Sequence, residues 1–102
     1  MKIIRTQRFI ATLKALQKGD DELFVAVAAD LRYLIELKRG AQLPQVRFGL
    51  AQSEYDVIGE VRSHITGRPE FIRVLFAMPH DESLCAFLIM GDKNSQREGA
   101  PS

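Results

Sequence analysis

Cysteine is nearly missing from this 102-residue chain: Cys85 is the only one. That excludes an intramolecular disulfide and a multi-thiolate metal site. Two histidines, His64 and His80, are too few for a conventional zinc centre, so no metal and no cofactor is expected. Long hydrophobic runs are missing as well. The longest, residues 84–90, has seven residues, where a membrane span needs ~20. The opening Met1-Lys2-Ile3-Ile4-Arg5 lacks the unbroken apolar segment of a signal peptide. The expectation is a cytoplasmic protein with no membrane partner. A Gly-rich phosphate loop before a helix, a nucleophile elbow and an EF-hand loop are all absent.

What is present fits one globular domain. The chain is 46% hydrophobic and 26% charged, ordinary for a folded protein, and long enough to bury a real core. Net charge is only +1. Residues 1–50 hold nine Lys/Arg against five Asp/Glu, or +4, and residues 51–102 hold five against eight, or −3. This asymmetry permits a basic surface for a polyanion without demanding one.

The periodicity divides the chain at Gly40. Residues 1–4 read as a first strand, and Thr6 as the cap of a helix over 6–18. Phe9, Leu13 and Leu16, with Ile10 beside them, share one helical face. Gly19 stops that helix. Asp20, Asp21 and Glu22 then place negative charge in the first turn of a second helix, 20–39, which closes on Lys38, Arg39 and Gly40. Its apolar stripe is Phe24, Val27, Leu31, Leu34 and Ile35. With only Gly19 between them, the two helices form an antiparallel hairpin.

Beyond Gly40 the apolar period falls to two. Strands are expected over 46–50, 57–62, 71–78 and 84–90, with turns at Arg68-Pro69 and 79–83. The order is β-α-α-β-β-β-β: an α+β fold with two N-terminal helices packed on a small twisted antiparallel sheet. Residues 1–93 make the domain. Residues 94–102 carry no apolar side chain larger than alanine and read as a flexible C-terminal tail.

Arg73 is the most informative residue. It interrupts the otherwise apolar strand Phe71-Ile72-Arg73-Val74-Leu75-Phe76-Ala77-Met78. A charge there must be paired or must face away from the core. Arg62 lies on the preceding strand and can neighbour it across the ladder. Two readings stay open: Glu60 neutralises an arginine in a structural ion pair, or the two guanidiniums grip a phosphate. His64 reads either as an exposed histidine or as an acid/base group beside arginines. His80-Asp81 reads as a solvated turn and Cys85 as a small interior hydrophobe. Lys93 and Arg97 follow the last strand directly.

Read in order, these segments resemble the RelE/ParE superfamily of bacterial toxins, in its RelE/HigB-like branch. The matching pieces are Asp20-Asp21 opening a helix that ends Leu34-Ile35-Glu36-Leu37-Lys38-Arg39-Gly40, the Leu43-Pro44 connection, Ile58-Gly59-Glu60-Val61-Arg62, Ile72-Arg73-Val74-Leu75-Phe76, and Leu88-Ile89-Met90-Gly91-Asp92-Lys93. The resemblance covers residues 1–93. It implies the toxin of a type II toxin–antitoxin pair, an endoribonuclease that cleaves mRNA on the ribosome without metal, by attack of a 2′-hydroxyl on the neighbouring phosphate. It implies catalytic roles for Arg73, Lys93 and Arg62, and Arg97 falls near a further basic position of the family; Arg47, His64, Arg68 and Arg97 are the expected RNA contacts. It also implies a cognate antitoxin bound as a hetero-oligomer. No tyrosine or tryptophan follows Lys93, where the branch carries an aromatic group. The alternatives are a ParE-like DNA gyrase inhibitor and an inactive homologue that only binds its antitoxin.

Overall fold

A computed structural model describes residues 1–49 and 57–92. Its elements run β1 (Lys2–Arg5), α1 (Gln7–Gly19), α2 (Asp21–Leu37), a 3₁₀ turn (Lys38–Gly40), β2 (Val46–Phe48), β3 (Ile58–His64), β4 (Phe71–Ala77) and β5 (Leu84–Asp92). The expected order β-α-α-β-β-β-β is the observed one. Leu50, Lys93, Arg97 and the proposed tail lie outside the described residues.

The helix boundaries follow from their caps. Thr6 accepts a hydrogen bond from the Phe9 amide at 3.0 Å and donates to the Leu88 carbonyl at 2.6 Å, tying the start of α1 to β5. Asp20 serves both helices. Its amide donates to the Leu16 carbonyl at the end of α1, and its carboxylate accepts from the Leu23 amide at the start of α2. One residue therefore makes the whole link between the two helices. On α2 the buried stripe is Leu23, Val27, Leu31 and Leu34. Phe24, expected in that stripe, is only half-buried. The spacing i, i+4, i+8, i+11 selects Leu23 as the member in phase.

The sheet order is β1-β5-β4-β3-β2. β2, β3, β4 and β5 pair antiparallel, as short turns require. The edge pair differs from expectation: β1 runs parallel to β5. The helical hairpin and three further strands separate the two in sequence, so no tight turn dictates their direction. The sheet is mixed at one edge and antiparallel elsewhere.

α1 packs against β5 and α2 against β3, so both helices cover the same face. Alternation decides what lies beneath them. On β4, Ile72, Val74 and Phe76 are buried, whereas Phe71, Arg73, Leu75 and Ala77 are half-exposed on the opposite side. Phe9 of α1 stacks on Phe87 of β5 with ring centroids 5.3 Å apart. Phe48 meets Phe76 edge-on at 5.4 Å. Cys85 belongs to this core, and burial pushes its thiol pKa up to about 12. Gly59 is required by crowding: a Cβ there would lie 2.6 Å from Phe76 Cζ and 2.7 Å from the Arg47 carbonyl oxygen.

Candidate functional site

The face that neither helix covers collects most of the sequence-selected cations. Residues in register across a sheet share a face. Arg47 stands opposite Glu60, Glu60 opposite Leu75, and Leu75 opposite Ile89. The next row places Arg62 directly opposite Arg73, with Gly91 beyond it. The row after that pairs His64 with Phe71. Arg47, Arg62, Arg73 and His64 thus lie on one surface of three adjacent strands.

Glu60 sits at the centre of this group and is 5% exposed. Its two oxygens are divided between the arginines: Oε1 is 3.9 Å from Arg62 Nε, and Oε2 is 3.5 Å from Arg73 Nη1. A carboxylate this buried must be paired. Here one negative charge faces two guanidiniums, with a third, Arg47, across the ladder. The Arg62 and Arg73 side chains keep 33% and 39% exposure. The Glu60 carboxylate holds the two guanidiniums beside one another at the edge of solvent. The ion pair of the first reading is present, and it sets the two guanidiniums side by side. Such an array suits an anion with oxygens on more than one side, which a phosphate has and a chloride does not.

Aromatic rings border the cations. The Arg62 guanidinium lies 5.3 Å from the Phe71 ring centroid. His64 stacks on Phe71 with centroids 5.4 Å apart and planes 4° from parallel. His64 closes strand β3 and is exposed, part of the face rather than of the loop beyond it.

Arg68 stands apart from this group. It bonds to Asp20, to Glu22 at 2.9 Å and to Glu70 at 3.0 Å, tying the β3–β4 loop to the start of α2. Three carboxylates occupy its guanidinium, and they hold its pKa well above the ordinary arginine value. Hydrogen bonds from Arg68 in turn lower the carboxyl pKa values of Asp20 and Glu70. In this structure Arg68 joins loop to helix, on the side away from the arginine face. Lys93 and Arg97 lie outside the described residues.

Sequence reasoning passed over two neighbours of the face, Asp30 and Gln45. A pocket of about 290 Å³ is lined by these two with Pro44, Arg62, His64 and Phe71. Asp30 stands on α2, and nothing local marks which strand it meets. Its helical phase, next to Val27, Leu31 and Leu34 in an apolar stretch, was the available signal. Among the described residues there is no cluster of His, Cys, Asp and Glu suited to a metal ion, and no helix is long and apolar enough to cross a membrane.

Comparison with known proteins returns no matching family profile and no matching curated protein. Among solved structures, the crystal structure of YafQ from E. coli strain BL21(DE3) is similar. It matches with a TM-score of 0.50 at 19% identity, over 92% of this chain and 94% of that one. At that identity the likeness speaks for the backbone arrangement. Two helices packed on a five-stranded mixed sheet, in this order, give the chain a fold like that of YafQ.

Proposed function

We propose that the chain is the toxin of a type II toxin–antitoxin system and an endoribonuclease that cleaves mRNA on the ribosome. The observation that carries this reading is the in-register pair Arg62 and Arg73, braced by Glu60 on the open face of a RelE-like sheet. In the reaction, the ribose 2′-hydroxyl gives up its proton to solvent and attacks the adjacent phosphorus, and the bond to the 5′-oxygen breaks. The phosphoryl group gains negative charge on the way, and fixed guanidiniums stabilise that charge more than they stabilise the ground state. This chemistry needs no metal.

We assign the roles by position. Arg73 and Arg62 hold the scissile phosphate, with Lys93 as the third cation implied by the resemblance. Arg47, one strand away, contacts the RNA backbone. His64 is the imidazole on this face, exposed at the end of β3. It supplies the proton that the departing 5′-oxygen takes up. Arg68, committed to three carboxylates, is left out of the RNA-binding set. A cognate antitoxin is the expected protein partner, forming a hetero-oligomer with the toxin in the cytoplasm.

Induced expression with mapping of transcript ends tests the reading. Discrete cuts within codons, lost in Arg73→Ala, are expected. Losing one charge-stabilising group of this kind costs ~10²–10³ in rate. Intact mRNA with a DNA-damage response would assign the chain to the gyrase-inhibiting class instead. Absence of any growth defect would leave an antitoxin-binding homologue.

A further inference from the structure

Arg47 reaches the open face from the shortest of the described strands. β2 stands last in the order β1-β5-β4-β3-β2 and meets β3 over three residues. Arg47 is the middle one, in register with Glu60. Its neighbour Phe48 points to the opposite side of the sheet, because successive side chains alternate. An edge strand with so short a ladder is free to rock about its own axis. Any rotation that shifts Phe48 on one side carries Arg47 with it on the other. Groups that grip a phosphate must stay within about 0.5 Å and 10–20° of their working positions. Holding Phe48 therefore holds Arg47.

That part falls to Arg39. α2 ends at Leu37, and Lys38, with φ 53°, turns the chain so that Arg39 follows in the 3₁₀ turn. The Arg39 guanidinium lies over the Phe48 ring, 4.6 Å from its centroid. The same ring meets Phe76 edge-on at 5.4 Å, and Phe76 is fully buried. Phe48 is thus in contact with a cation and with the core. The cation is itself anchored to the end of β4 and the turn beyond it. Its Nη1 donates to the Met78 carbonyl at 2.8 Å, and the Arg39 amide donates to Glu82 Oε2 at 3.0 Å. Gly59, opposite Phe48, completes the seat, since a Cβ there would strike Phe76. A flat guanidinium stacks and donates at once, which a lysine ammonium does not.

We infer that Arg39 is a positioning residue of the RNA-binding face: by fixing Phe48 beneath β2, it sets where Arg47 meets the RNA backbone. The inference rests on the proposed function, which gives Arg47 its RNA contact. The partners Met78 and Glu82 lie 39 and 43 positions from Arg39, so the role comes into view only in the fold.

The test measures binding of a short 2′-O-methyl oligouridylate to the full chain over a range of salt, by fluorescence anisotropy. Without a free 2′-hydroxyl the probe is not cut. Arg47→Ala should lower the slope of log affinity against log salt by ~0.7, the share of one phosphate contact on a single strand. Phe48→Leu, which changes no charge, should lower it by a similar amount, and so should Arg39→Ala. Either change made in an Arg47→Ala chain should move the slope no further. Thermal unfolding of each variant confirms that folded proteins are compared. Should Arg39→Ala fail to fold, Phe48→Leu carries the test. A parent-like slope in Phe48→Leu, with its Tm lowered, would make the contact structural only and overturn the inference. Effects that add to that of Arg47→Ala would also overturn it, since Arg39 would then meet RNA itself. An Arg47→Ala chain with the parent's slope would do the same. A chain that shows the coupling but cuts no mRNA would keep the positioning role and remove the proposed function. Cuts in mRNA without the coupling would do the reverse.

Discussion

Gly59→Ala is the perturbation whose outcome the packing dictates most sharply. The added methyl would stand 2.6 Å from Phe76 Cζ and 2.7 Å from the Arg47 carbonyl oxygen. Ordinary carbon contacts need roughly 3.5–4.0 Å, so about an ångström must be found. Phe76 has no room to yield: it is fully buried and wedged edge-on against Phe48. The Arg47 carbonyl belongs to β2, which has only three residues in the ladder with β3. Overpacking of this kind costs ~1–3 kcal/mol. In a domain of this length each kcal/mol moves Tm by about 4–8 °C, so the variant should melt roughly 8–16 °C lower at the middle of that range. Gly19→Ala is the matched control. Nothing lies within 4 Å of a Cβ there, and Gly19 lies in α1, so the change should be neutral or raise stability by ~0.4–1 kcal/mol. Thermal unfolding followed by circular dichroism at 222 nm reads both. A Gly59→Ala protein that melts with the parent, or one that melts above Gly19→Ala, would refute the packing at the β2–β3 junction and with it the placement of Arg47.

Other consequences concern the caps and charges. Thr6→Ala removes the acceptor for the Phe9 amide and the donor to Leu88. It should cost ~1–2 kcal/mol, and a cost under half a kcal/mol would contradict the cap. Glu60→Gln leaves the aligned arginines without their carboxylate. It should lower Tm in dilute buffer and gain more from added sulfate than the parent does; equal gains would argue against an anion-holding face. Asp20 and Glu70 have carboxyl pKa values lowered by Arg68. Their stabilisation is complete above the ordinary carboxylate pKa of ~4 and disappears as pH falls through the lowered folded values. The Tm difference between parent and Arg68→Ala should therefore be constant near neutrality and shrink at strongly acidic pH. A gap that persists unchanged into strong acid would show that Arg68 acts by packing alone.

The legible parts of this molecule are those written in local order. Gly40 separates two apolar periods, and the structure changes from helix to strand there because period fixes which face each residue shows. The pairing of Arg62 with Arg73 was legible for the same reason, since two strands joined by a short loop have few registers that keep Val61 and Val74 inside. The parallel seating of β1 on β5 was not, because it closes across nearly the whole chain and leaves no turn signature. Phe24 and Leu23 are adjacent, and a shift of one helical step decides which is covered. Arg68 looked like one more basic residue near the site. Its partners Asp20 and Glu22 are 48 and 46 positions away, and only the folded loop brings them together. Asp30 escaped notice for the same reason: its hydrogen bond comes from Ser63, 33 positions on.

The chemistry at the ends of the cut strand tests the account most directly. Purified protein is added to ribosomes programmed with a defined mRNA, and the termini are identified for the parent and for Arg73→Ala. Attack by the 2′-hydroxyl predicts a 2′,3′-cyclic phosphate or its hydrolysis product upstream and a 5′-hydroxyl downstream, with the yield falling ~10²–10³ in the variant. Products bearing a 5′-phosphate and a 3′-hydroxyl, or cleavage undiminished in Arg73→Ala, would contradict it.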